Sequence, residues 1–136
     1  MKTLALIAAL GLSLVAAPSF AGDADKGEDT FKKCKACHAI SNGDNVIVKG
    51  GKTGPNLYGV IGHKAGALDG FNYGSDLVAA GDKGLVWTEE LLAKYVEDPK
   101  DFLQEYLGDK GAKSKMSYKL KKGGEDVAAY LAAAAK

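Results

Sequence analysis

The sequence predicts a small all-α domain of about four to five helices joined by long loops. Three observations lead there. Apolar residues recur at helical spacing in several short segments, each bounded by capping residues. No two stretches read as a convincing pair of strands, and no segment repeats. Residues 40–66 are dense in glycine and sustain neither the helical nor the strand period, so they read as loop. A loop of that length in a compact domain needs a surface to wrap, and a large flat cofactor would provide one.

In chain order, residues 1–21 read as a secretory leader. Lys2 opens it, residues 4–17 form an apolar run, and Ser19-Phe20-Ala21 is a small-x-small cleavage site. The run is too short for a comfortable membrane span, so no stable membrane insertion is expected. Residues 22–136 then form a single domain, with export pointing to the periplasm. Asp23 or Asp25 caps a first helix running towards Lys33, with Ala24, Gly27 and Phe31 on one stripe. Gly27 costs about 1 kcal/mol in mid-helix, which suggests a close approach by another helix. Ser75 caps a short helix over residues 76–80. Thr88 caps another whose buried face is Leu91, Leu92, Tyr95 and Val96, ended by Pro99. Asp98-Pro99 restarts a helix towards Tyr106, with Gly108 past its end. Residues 110–122 are basic loop. The last helix spans residues 125–134, with Val127, Tyr130, Leu131 and Ala134 on one face.

The chemistry centres on Cys34-Lys35-Ala36-Cys37-His38. C-x-x-C-H is the attachment signature of c-type haem: two thiols three positions apart can each form a thioether to a porphyrin vinyl group, and the histidine stands under the iron. A thioredoxin-like redox pair would need no histidine and would sit between a strand and a helix. A four-ligand zinc site would have to use every cysteine and histidine in the chain, Cys34, Cys37, His38 and His63. One covalent haem c is the expected cofactor, and it would supply apolar bulk to an otherwise thin core.

His38 leaves the opposite axial position to Met116 or His63. Met116 is the one methionine in residues 22–136 and lies in a polar loop where it has no evident core role. A thioether is a suitable soft iron ligand. His63 sits in the Gly62-His63-Lys64 turn and reads as a surface residue. His/Met ligation raises the reduction potential relative to nitrogenous pairs and leaves no open coordination site. It therefore favours electron transfer over catalysis.

Across residues 22–136 the chain resembles the class I cytochromes c, and among them the longer bacterial c2 type. The landmarks are Lys26-Gly27 with Phe31, residues 34–38, and Thr53-Gly54-Pro55-Asn56-Leu57-Tyr58-Gly59. Gly70-Phe71-Asn72-Tyr73, Trp87, Tyr95 with Pro99, Lys115-Met116 and Tyr130-Leu131 complete the set. The resemblance implies that the Pro55 carbonyl accepts a hydrogen bond from His38. It implies that Tyr73, Trp87 and Ser114 bond the haem propionates, and that Tyr95 points its hydroxyl at the Met116 sulfur. Gly27 and Phe31 would cross the Tyr130-Leu131 helix. Where many relatives carry Gly-Arg, this chain has Gly62-His63, a titratable group in place of a permanent cation.

The resemblance further implies a soluble periplasmic one-electron carrier, not an enzyme. It would move electrons between membrane redox complexes, from cytochrome bc1 to a photosynthetic reaction centre or a cytochrome oxidase. The competing class is a haem peroxidase or ligand sensor with a labile sixth ligand; a bound subunit of a larger dehydrogenase is weaker, for want of an extra domain.

The charge pattern fits a carrier. Residues 22–136 carry as many lysines as acids and no arginine, which argues against nucleic-acid binding. The charges are segregated. Residues 32–64 hold six lysines and one aspartate, residues 110–122 six lysines and no acid, and residues 69–109 ten acids against three lysines. A monomeric dipole with Lys33, Lys35, Lys52, Lys115 and Lys119 around the haem edge would be steered onto acidic docking faces.

Overall fold

The computed structural model describes residues 22–135; the leader and its cleavage site lie outside them. The elements run α1 (Ala24–Phe31), β1 (Ile40–Asn42), β2 (Asn45–Val48), α2 (Ser75–Asp82), α3 (Glu89–Glu97), α4 (Pro99–Leu107) and α5 (Gly124–Ala134). Five helices match the expected number. The small antiparallel sheet does not match: residues 40–48 form a hairpin, with Ser41 opposite Val46 and Asn42 opposite Asn45.

Asn42-Gly43 at the turn and the β-branched run Val46-Ile47-Val48 are hairpin signals that the surrounding glycines obscured. The strands are only three and four residues long, and Val46 and Ile47 remain exposed, so no alternating burial marks them. What holds the hairpin is tertiary. Ile40 is fully buried, and the Asn56 side chain stands in for a third strand, accepting from Ser41 N–H at 3.0 Å and donating to Ser41 C=O at 2.7 Å.

The helix boundaries follow their caps. Asp23 caps α1 by accepting from the N–H groups of Asp25 and Lys26, and Thr88 caps α3 by accepting from Leu91 N–H. Asp98 closes α3 and caps α4, whose first residue is Pro99; α4 ends at Gly108, at φ 64°. Ser75 is not a cap. It is the first residue of α2, which starts from Gly74 without a side-chain cap and runs on to Asp82. Ala80 and Gly81, buried in its last turn, extend it past the expected end, because tertiary burial outweighs local propensity there.

Helix α1 packs on α5, α5 on α3, and α4 on α3 and α2. The α1–α5 crossing is the tightest. A Cβ on Gly27 would run into the Asp126 carbonyl, and would lie 2.7 Å from Tyr130 Cβ. One turn later the Phe31 and Tyr130 rings meet at 5.8 Å. Phe31, Val127, Ala128 and Leu131 are buried there, and each large side chain contributes roughly 1.5–3 kcal/mol of apolar burial.

This geometry fixes the sign of a substitution that propensity alone would get wrong. Alanine for Gly27 gains about 1 kcal/mol of helix propensity, but overpacking against a backbone carbonyl costs roughly 1–3 kcal/mol. Gly27→Ala should lower the melting temperature by several degrees. A rise would show slack in the crossing.

Candidate haem site

Directly after α1 the chain makes a tight turn: the N–H groups of Cys37 and His38 both donate to the Cys34 carbonyl, at 3.2 and 3.0 Å. The turn brings Cys34, Cys37 and His38 to one cavity of about 900 Å³, lined mainly by apolar side chains. That volume lies in the range of cofactor sites, roughly 300–1,000 Å³. Cys34 is half-buried and Cys37 exposed, and neither is in a disulfide.

His38 is held from two sides. Its Nδ1 lies 2.8 Å from the Pro55 carbonyl. A carbonyl can only accept, so Nδ1 carries the proton and Nε2 keeps its lone pair. Gly54 lies flat against the ring; a Cβ there would stand 2.7 Å from Nδ1 and 2.8 Å from Nε2. Burial lowers the His38 pKa from the ordinary imidazole value, partly opposed by the Pro55 hydrogen bond, so the ring stays neutral at physiological pH and able to ligate.

The other wall comes from α3 and the loop before α5. Met116 is partly buried against the core and lines the same cavity as His38. Trp87 and Tyr95 are buried with ring centroids 4.9 Å apart, and Phe102 backs them at 6.0 and 5.6 Å. Burial raises the Tyr95 pKa, opposed by the Ser114 side chain; the Ser114 hydroxyl donates to the Met116 carbonyl at 2.9 Å. Tyr73 packs edge-on to Phe71 at 4.8 Å, and burial raises its pKa against a backbone hydrogen bond from Leu68.

The thiol-redox and zinc alternatives fare poorly in this setting. A reactive C-x-x-C cysteine needs a depressed pKa, whereas burial, then Cys37, raises that of Cys34, with only Lys33 opposing. Among the described residues no group of three or more His, Cys, Asp or Glu side chains gathers to hold a metal ion.

No family model matches the chain. Individual relatives do. Cytochrome c-551 of Roseobacter denitrificans is 59% identical, over 96% of this chain and 94% of its own length. Cytochrome c2 of Rhodobacter capsulatus is 58% identical, over 98% and 96%. The solved structure of the latter protein superposes with a TM-score of 0.83, covering 85% of this chain and 100% of that one. Ferric cytochrome c-550 of Paracoccus versutus gives 0.82 at 50% identity, over 85% and 100%.

The chain belongs to the cytochrome c2 family.

It has the class I cytochrome c fold, is an electron-transfer protein rather than an enzyme, and carries one covalently bound haem c. The donor set fits that group: two thiols, a neutral imidazole with a free lone pair and a thioether share one apolar cavity. Pro55, Tyr73, Trp87, Tyr95 and Ser114 line it too.

The docking lysines divide. Lys33 and Lys115 line the cavity, as do Lys64 and Lys113, while Lys35, Lys52 and Lys119 do not. Lys115 Nζ donates to the Asn72 carbonyl at 3.0 Å, and Lys119 pairs with Asp98 at 2.8 Å. His63 lines the cavity but is exposed, its backbone bonded to Val60 and Trp87. Sequence reasoning missed the backbone supports of the turn. A Cβ on Gly50 would strike the His38 carbonyl, and one on Gly51 the Ala36 carbonyl. Glycine density is the sequence signal for these close approaches, and it does not separate them from ordinary loop.

Gly54→Ala is expected to cut the yield of haem-loaded protein severalfold, measured as Soret absorbance per mass of chain. Full loading would mean that the His38 ring can move aside.

Proposed function

We propose that this chain is a soluble periplasmic one-electron carrier that docks haem edge first on membrane redox complexes. The observation that carries this is the convergence of His38 and Met116, with both thiols, on one apolar cavity. Cys34 and Cys37 would form the thioethers to the haem, and His38 and Met116 would donate to its iron. Tyr73, Trp87 and Ser114 face the propionates, and Tyr95 braces the Met116 side. The haem supplies reversible one-electron chemistry at iron. With His38 and Met116 both donating, the iron would have no open coordination site and its potential would be raised relative to a nitrogenous pair. A peroxidase or ligand sensor would need the Met116 side to be open.

The donor and acceptor complexes, cytochrome bc1 and a reaction centre or cytochrome oxidase, would present acidic faces to the lysine-bearing loops. Acidic residues of this chain collect elsewhere: Glu97, Asp98, Asp101 and Glu105 line one groove between α3 and α4. Among the described residues no helix is long and apolar enough to cross a membrane, as suits a freely diffusing shuttle.

Two experiments test the reading. Met116→Ala should abolish the weak red-end band of Met-ligated ferric haem and lower the reduction potential by roughly 0.1 V or more, part of the ~0.8 V that axial ligands command. An unchanged spectrum and potential would move the ligand role to His63. Electron transfer to a membrane fraction containing cytochrome oxidase should slow steeply with salt, because screening lengths fall to about 8 Å at physiological ionic strength. Lys35→Glu should slow it far more than Lys94→Glu on α3; equal losses would mean that the docking face lies elsewhere.

A further inference from the structure

We propose that Asp76 is a positioning residue for Met116: its carboxylate anchors the loop that carries the thioether and so sets how readily that ligand is displaced. The proposal rests on Met116 being the axial donor.

The loop between α4 and α5 has no regular secondary structure, so hydrogen bonds to side chains must hold it. Its ends are fixed. Gln104 on α4 donates to the Lys110 and Ala112 carbonyls at 2.8 and 3.3 Å, with Ala112 buried. Leu120, also buried, donates its N–H to the Val96 carbonyl at 2.7 Å. Between these anchors lies the stretch that presents Met116. Ser114 and Met116 bond each other there, which shapes the stretch without tying its backbone N–H groups to the rest of the protein.

Asp76 supplies that tie. Its Oδ2 accepts the backbone N–H of Lys113 at 2.7 Å, three residues before Met116. Among the described residues it is the one side chain outside residues 113–118 bonded to a backbone N–H within them. The carboxylate sits in the first turn of α2, where the helix dipole favours it. The helix itself is firmly seated: Ala80 is fully buried, and a Cβ on Gly81 would strike the Ala65 carbonyl. The Lys115 bond to the Asn72 carbonyl binds the same two segments together a few residues away. A charge-assisted acceptor on a well-seated helix thus anchors the loop three residues before Met116.

The test is displacement of Met116 in the ferric holoprotein by imidazole at one fixed pH about 1.5 units above the imidazole pKa of ~6.5, where the probe is mostly uncharged, followed through loss of the red-end band. Asp76→Ala should bind imidazole about tenfold more tightly, as expected for loss of one charge-assisted hydrogen bond near the surface. Asp76→Asn keeps an acceptor and should stay within about threefold of the parent. Asp23→Ala is the control for general destabilisation: it removes two capping bonds from α1, remote from the loop, and should lower the melting temperature while leaving imidazole affinity alone. If Asp76→Ala does not accumulate, Asp76→Ser, whose hydroxyl falls short of Lys113, reads the same loss. Parental imidazole affinity in Asp76→Ala, or an equal gain in Asp23→Ala, would overturn the latch alone. A parent protein without the red-end band would overturn the Met116 ligation and the latch with it.

Discussion

The 2.8 Å hydrogen bond from His38 Nδ1 to the Pro55 carbonyl links two segments that the chain makes separately. One is the Cys34–His38 turn after α1, closed on the Cys34 carbonyl. The other is the loop that follows the hairpin, whose path is set by Asn56 bonding Ser41 on both its N–H and C=O. Joining them fixes the tautomer of the imidazole and the direction of its free lone pair. It also brings Gly50, Gly51 and Gly54 so close to residues 35–38 that no side chain fits between. The cavity exists because this wall is rigid: a ring free to turn would neither keep its lone pair aimed nor exclude water.

Opposite this wall the construction is different. Trp87 and Tyr95 belong to a packed aromatic group, braced by Phe102 from α4, and they stay in place by burial. Met116 instead hangs from a loop held by individual hydrogen bonds at Asp76, Ser114 and Lys115. The His38 side is thus secured by close packing and a part-buried bond, the Met116 side by hydrogen bonds of which two are exposed. Local stability follows the number of buried apolar contacts, so the Met116 side is where opening would begin.

Charge distribution adds direction to a molecule whose total charge is near zero. The lysines lie in the segments that carry the cysteines and the methionine, and the acids are concentrated in α2 to α4. The structure qualifies this map, because Lys115 and Lys119 already have partners at Asn72 and Asp98. Exposed pairs of that kind are weak, typically below about 1 kcal/mol, so an acidic partner could compete for both amines.

The C-x-x-C-H motif, the one methionine of residues 22–136, the helix caps at Asp23, Thr88 and Asp98-Pro99, and the segregation of charge could all be read from the sequence. Each depends on residues a few positions apart, or on composition alone. The same locality misled at Ser75, where a plausible cap is simply the first residue of α2, and over residues 40–48, where glycine masked a hairpin held by Ile40 burial and the Asn56 side chain. What tertiary structure decided lies between residues far apart in the chain. Asp76 meets Lys113 across 37 positions, Lys115 meets Asn72 across 43, and Gly27 meets the last helix. Such contacts leave no period or spacing in the sequence, because their geometry is set only once the helices between them have packed.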